Sequence, residues 1–201
     1  MEATFAKDPA VRRCAARWRS RAASCTRRIA DWIAVCGGAR SGFWRARSTP
    51  SRCRLSPLLN ASRPDIWRKA IALVAEEHPP TRTCFIHRDY QHFNLLWSRD
   101  RLSGVIDWVE ASVGPPDVDV GHCRLNLTVL FSADTAERFR QMYEAEAGRE
   151  VDPWWDIQSL LPFGPEWKRF LPIQIDGRAP LDVDGMMSRM EDVLERTLRR
   201  L

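Results

Sequence analysis

The sequence predicts an α+β chain that is mostly helical and carries one small β-hairpin. Apolar residues recur at helical spacing over 64–77, 117–131, 133–147 and 184–201. Two short apolar runs, Leu95–Trp97 and Leu102–Ile106, flank the charged turn Ser98-Arg99-Asp100-Arg101 and read as a hairpin. A third run of strand type, Thr83–Ile86, leads into a polar loop that enters the hairpin's first strand.

Composition sets the outer bounds. The 201 residues suffice for one domain or two small ones, and a 44% hydrophobic fraction is enough for a packed core. No run of eighteen apolar residues occurs, so no membrane-spanning helix is expected. The first residues lack the apolar core of a signal peptide, and a cytoplasmic location is the default expectation. Cysteines 14, 25, 36, 53, 84 and 123 form no C-x-x-C pair, so free thiols are expected rather than a disulfide framework.

Charge divides the chain in two. Residues 1–60 hold thirteen cations, twelve of them Arg, against Glu2, Asp8 and Asp31, a net of +10. The remainder holds eighteen cations against twenty-three acids, a net of −5. Residues 1–61 are therefore read as a unit separate from residues 62–201.

Within the first unit, residues 8–36 read as a helix. Asp8-Pro9 begins it, Gly37-Gly38 stops it, and Val11, Cys14, Trp18, Cys25, Ile29 and Trp32 share one face. The opposite face is nearly all Arg, and a solvated basic face is the expected reading. A membrane-surface or nucleic-acid arm is the alternative. Residues 37–63 show no periodicity and read as a linker. Their Arg, Ser, Cys and Trp excess also fits a GC-rich gene translated in a shifted frame, and both readings stay open.

In the second unit, Pro64-Asp65 opens a helix to about Glu77, which His78-Pro79-Pro80 stops. After the hairpin, Gly114-Pro115-Pro116 reads as a turn. Helices are expected over Asp117–Phe131 and Ala133–Ala147. Asp152–Leu181, rich in Pro and Trp, is expected to be irregular. The last helix, Asp184 to Leu201, shows an apolar stripe of Met187, Met190, Val193, Leu194 and Leu198.

The polar loop holds the chemistry. His87-Arg88-Asp89-Tyr90-Gln91-His92-Phe93-Asn94 fits H-x-D-x-x-x-x-N, and Ile106-Asp107-Trp108 follows at the end of the hairpin. The pattern resembles the catalytic loop of protein kinases, in which the Asp accepts a hydroxyl proton and the Asn holds a metal ion. Gly104-Val105-Ile106-Asp107-Trp108, Glu110 and then Gly114-Pro115-Pro116-Asp117-Val118-Asp119-Val120-Gly121 complete the pattern without gaps. Together these stretches resemble the aminoglycoside phosphotransferase and choline kinase family.

The resemblance covers about residues 62–201 and implies the C-terminal lobe of a protein-kinase-like fold. It implies an ATP-dependent phosphotransferase acting on a hydroxyl group of a small molecule. Aminoglycosides, macrolides, choline, homoserine and other amino or sugar-like alcohols are the candidate acceptors. It also implies magnesium, held by Asn94 and Asp107, which would bind the nucleotide as well. The chemistry matches, since magnesium takes hard oxygen ligands and completes its octahedron with phosphates and waters. Asp89 would orient and deprotonate the acceptor.

By the same resemblance His87 packs beneath the loop and bonds the backbone near Asp107. Asp119 caps the next helix and braces the loop. His92 is read as an exposed loop histidine, with a phosphate contact as the alternative. Glu110 is a weak candidate for a second metal or for the acceptor.

The expected N-terminal lobe is not legible. The only lysine before Lys69 is Lys7, outside any strand pattern, and no G-x-G-x-x-G occurs. Residues 1–61 are therefore not read as a nucleotide-binding lobe, and that lobe reads as missing. Poor ATP binding is expected to follow. A catalytically inactive remnant or binding module with a basic arm is the alternative function. A nucleotide and a small-molecule acceptor are the expected partners, and nucleic acid is not.

Overall fold

The computed structural model describes residues 61–99, 101–164, 166–175 and 181–201. The expected helix over 8–36 and the linker after it lie outside the described residues. Within them the chain is α+β and dominated by helices, with two small antiparallel sheets.

Helix α1, Pro64–Ala75, begins where Pro is tolerated and an acidic first turn is favoured. It ends two residues short of the expected Glu77. Arg63, just before it, bolts the unit's start to its end. The Arg63 backbone N–H donates to Glu191 Oε1 at 2.9 Å, and its guanidinium reaches Glu195 at 3.0 Å and the Ser188 carbonyl at 3.2 Å. Trp67 Nε1–H shares the buried Glu191 carboxylate at 3.3 Å.

Strand β1, Cys84–Ile86, precedes the polar loop. Strands β2, Leu95–Ser98, and β3, Arg101–Val105, form the expected hairpin. Leu95 faces Val105 and Leu96 faces Gly104, with a register shift after Leu96. The sequence gives no warning of β4, Ser112–Gly114, which pairs antiparallel with β1 from Cys84↔Gly114 to Ile86↔Ser112. The loop and hairpin are thus tied at their root by a second sheet.

Helix α2, Pro116–Leu130, is the central element. It packs on α3 (Ala133–Ala147), α4 (Pro153–Leu160) and α6 (Met186–Leu198). Leu125 and Val129 enter a core shared with Trp67, Ala136, Ile157, Leu160, Met190 and Leu194. Each such side chain contributes roughly 1.5–3 kcal/mol by leaving water. A side chain on Gly121 would collide with Ser159 Cβ, so glycine lets α2 and α4 approach closely. Asp117, buried near the start of α2, accepts from the Asp152 N–H at 3.0 Å and from Arg149.

A charged pair lies inside this core. Arg124 on α2 bonds Asp156 on α4, and neither side chain is exposed. Arg124 also donates to the Ala136 carbonyl and to Glu137, each at 3.3 Å, and Thr197 on α6 donates to Asp156 at 3.4 Å. The pair therefore joins α2, α3, α4 and α6.

The expectation of irregular chain over Asp152–Leu181 is corrected. Two helices form there, α4 and α5 (Trp167–Ile175). Pro153 sits at the first helical position, where its missing N–H does no harm, and the Asp152 carboxylate accepts from the Trp154 N–H at 2.8 Å. Helix α6 uses the predicted stripe, with Met187, Met190, Val193 and Leu194 buried. Cys84 is a free thiol, and among the described residues no helix is long and apolar enough to cross a membrane.

Candidate active site

The loop after β1 is held by α2. Both Asp119 carboxylate oxygens face it, accepting the backbone N–H groups of His87 and Arg88 at 2.7 Å each. Arg88 has φ 68°, a left-handed conformation that a non-glycine residue reaches only at a cost of about 1–3 kcal/mol. The Asp119 bonds offset that cost. Burial pushes the Asp119 carboxyl up, against the lowering effect of the two N–H groups. Asp119 braces the loop but does not cap α2, because Pro115 occupies the cap position and Asp119 lies within the first turn.

His87 is buried and works beneath the loop. Its Nε2 bonds the Ile106 carbonyl at 2.8 Å, and its Nδ1 accepts the Asp89 N–H at 3.3 Å. Nδ1 is therefore the bare nitrogen and Nε2 carries the hydrogen. The Ile106 N–H in turn donates to the Asn94 carbonyl at 2.9 Å. The Ile106 peptide is clamped from both sides, which fixes the start of Asp107.

Asp89 and Asn94 are joined directly. Asn94 Nδ2 donates to the Asp89 carbonyl and to Asp89 Oδ2, each at 2.8 Å. Two oxygens facing that atom settle the amide's orientation and leave its oxygen as the available ligand. Gln91 Nε2 and His122 Nε2 meet the other carboxylate oxygen, Oδ1, at 2.8 and 2.9 Å. Burial disfavours the Asp89 charge, but the bonds from His122, Asn94 and Gln91 outweigh it and hold the carboxyl below the usual carboxylate range.

Asp107 is brought beside this pair by the backbone. It follows the residue bonded to Asn94, and its side chain is exposed. Its φ of 64° and ψ of 58° are left-handed, a region Asp enters more readily than most residues. A single 3₁₀ turn, Trp108–Glu110, follows. Glu110 lies 3.5 Å from Arg88 in an exposed pair, so it is tied to the loop.

His92 departs from the expected exposed position. It opens the 3₁₀ turn His92–Asn94, is half-buried, and packs 4.0 Å from the Phe93 ring and 5.9 Å from Phe131. Its Nδ1 is buried without a partner, and burial lowers its pKa to about 4. The unfolded chain therefore takes up a proton on His92 before the folded one does. Folding stability is expected to fall as pH drops from about 6.5 toward 4. Denaturant midpoints measured at pH 7 and pH 5 check this, and His92→Phe should flatten that part of the decline.

Sequence reasoning missed Gln91, although it lies inside the loop motif, and His122. The signal for His122 was its place on α2 three residues after Asp119, one helical turn along the same face. Magnesium fits the donor set. Among the described residues no three His, Cys, Asp or Glu side chains cluster as a metal site. An ion that keeps waters and phosphates needs only one or two protein oxygens, which Asn94 and Asp107 offer.

The profile of the APH family, described as the phosphotransferase enzyme family, matches residues 7–156. The match spans most of the chain and begins within the basic segment. No curated protein and no solved structure matches the chain.

Proposed function

Since the chain belongs to the phosphotransferase enzyme family, we propose that it transfers the γ-phosphoryl group of ATP to a hydroxyl group of a small molecule. Residues 62–201 would form the C-terminal lobe of a kinase-like fold. The observation that carries this reading is the Asp89–Asn94 pair, locked together beside the hairpin end that bears Asp107.

The bonds to Asp89 assign its two oxygens different tasks. Oδ1 accepts from Gln91 and His122, which fills both of its lone-pair directions. Oδ2 accepts from Asn94 and keeps one direction open, so it is the oxygen that would meet the acceptor hydroxyl. The hydroxyl proton passes to Oδ2 as the acceptor oxygen bonds to phosphorus. The bond from phosphorus to the bridging oxygen breaks, and ADP leaves with its electron pair. A carboxylate this well bonded is a weak base, so its larger contribution is orientation, with proton transfer late in the step.

Asn94, through its amide oxygen, and Asp107, through its carboxylate, would hold magnesium. Bound there, the ion supplies positive charge against the phosphate oxygens. Leu96 and Ile106 lie close by on the hairpin and remain 46% and 43% exposed. They offer an apolar surface suited to a flat nucleotide base. The net charge of −5 beyond residue 60 favours a cationic acceptor such as an amino alcohol.

Calorimetric titration of the full chain with ATP is expected to show weak binding. It should require magnesium and disappear in Asp107→Ala. Binding indifferent to both the metal and the substitution would remove Asp107 from the site. Micromolar affinity would instead overturn the expectation that a nucleotide-binding lobe is missing.

A further inference from the structure

We propose that His122 is a positioning residue for Asp89, one that selects Oδ2 as the oxygen facing the acceptor hydroxyl. The inference rests on the reading of Asp89 as the group that receives the hydroxyl proton. Its basis is the geometry of α2. Asp119, His122 and Asn126 follow one another at spacings of three and four residues, so they share a face of the helix. Asp119 holds the backbone at the start of the loop, and His122 holds the carboxylate two residues further on. One rigid element therefore sets both the path of the loop and the orientation of its working side chain.

The ring's hydrogen placement follows from its neighbours. His122 Nε2 lies 2.9 Å from Asp89 Oδ1. A bare nitrogen there would set two lone pairs against each other, so Nε2 carries the hydrogen and donates. The Asn126 amide nitrogen lies 3.1 Å from the His122 carbonyl and 3.3 Å from Nε2. With Nε2 already donating, only the carbonyl contact is a hydrogen bond. Asn126 is buried, and this bond fixes the turn of helix that carries the ring.

The pair is not an ordinary surface contact. The His122 and Asp89 side chains are 25% and 31% exposed, so solvent screens them only in part. Other charged or titratable groups surround the loop. They include His87, Arg88 and His92 within it, Asp119 on α2, and Asp107 and Glu110 after β3. Among the described residues, of these and His122, the structure gives only His122 a bond to the Asp89 carboxylate. Without that bond Oδ1 regains an open lone pair, and the carboxylate is free to present either oxygen.

The test is a set of crystal structures of the full chain without nucleotide. It compares wild type, His122→Phe and His122→Gln. The Asp89 carboxylate should turn away from its wild-type orientation, or take up two orientations, in His122→Phe and return to the wild-type one in His122→Gln, whose amide can replace the Nε2 donor. His122→Leu serves as a second apolar variant should His122→Phe fail to fold.

In a phosphoryl-transfer assay the apolar variants should lose about tenfold to a hundredfold in kcat, with KM for ATP unchanged. His122→Gln should recover most of that loss. An Asp89 carboxylate that keeps its wild-type orientation in the apolar variants overturns the proposal, whatever the assay shows. A wild-type chain that transfers no phosphate overturns the functional reading instead, and with it the catalytic part of the proposal. The carboxylate orientation still decides whether His122 governs Asp89.

Discussion

Replacing Asp89 with asparagine is expected to lower kcat for phosphoryl transfer by about 10²–10⁴-fold, the range typical of a lost general base. The side chain keeps its size but loses its charge and its basic lone pair. It also turns an amide NH₂ toward donors on Gln91, Asn94 or His122, which the native carboxylate satisfies on both oxygens. The melting temperature should change little, because Asp89 is partly exposed and contributes nothing to the apolar core.

The pH profile gives a second check on the same residue. Burial opposes its charge, but bonds from His122, Asn94 and Gln91 hold the carboxyl below its ordinary value. The active carboxylate form is thus retained on acidification and lost only as pH falls through that depressed value. The acid limb of kcat/KM should lie below the usual carboxylate range. Activity in Asp89→Asn within threefold of wild type would reassign the base.

The second large effect concerns the core. Asp156→Ala is expected to destabilise the fold by about 3–5 kcal/mol, because it leaves the fully enclosed Arg124 charge with only the longer Glu137 contact at 3.3 Å. For a chain of this size that corresponds to a fall in Tm of roughly 6–20 °C. The double substitution Arg124→Met with Asp156→Leu should recover most of the loss, since paired apolar replacements of a buried ion pair are often neutral or better. Thermal melts of wild type and the two variants decide the matter. A single variant that melts like wild type would mean that water reaches the guanidinium. The effect extends to the site, because Arg124 lies on the helix that carries Asp119 and His122.

The helices were legible because their apolar stripes are local. The 133–147 helix matches its expected span, with Ser132 accepting the Thr135 N–H at 3.1 Å to start it and Gly148 in a left-handed conformation to end it. Strand β4 was not legible. Three residues carry no alternation to read, and Ser112–Gly114 is a strand only because β1, remote in sequence, pairs with it. The region after Asp152 was misjudged because prolines were weighed as breakers, while Pro153 stands at the one helical position that suits it.

The loop motif carries Asp89 and Asn94, and the hairpin register sets the backbone just before Asp107 against Asn94. Chain position alone could not show that Gln91 and His122 meet at one carboxylate oxygen, because that depends on how α2 lies across the loop. His92 was expected in solvent as a histidine of a loop. The short 3₁₀ turn rotates its ring onto Phe93 and Phe131 instead.

The left-handed backbone at Asp107 also shapes how this position can be engineered. Substitutions there are filtered by main-chain conformation before their chemistry is tested. Glycine, asparagine and aspartate enter the region cheaply, whereas other side chains meet a penalty of about 1–2 kcal/mol. Glutamate, the nearest relative by charge, is therefore a poorer replacement than its carboxylate suggests. Asparagine fits the backbone but gives up the charge. A library meant to retune the metal preference proposed for this site therefore has little usable variety at position 107.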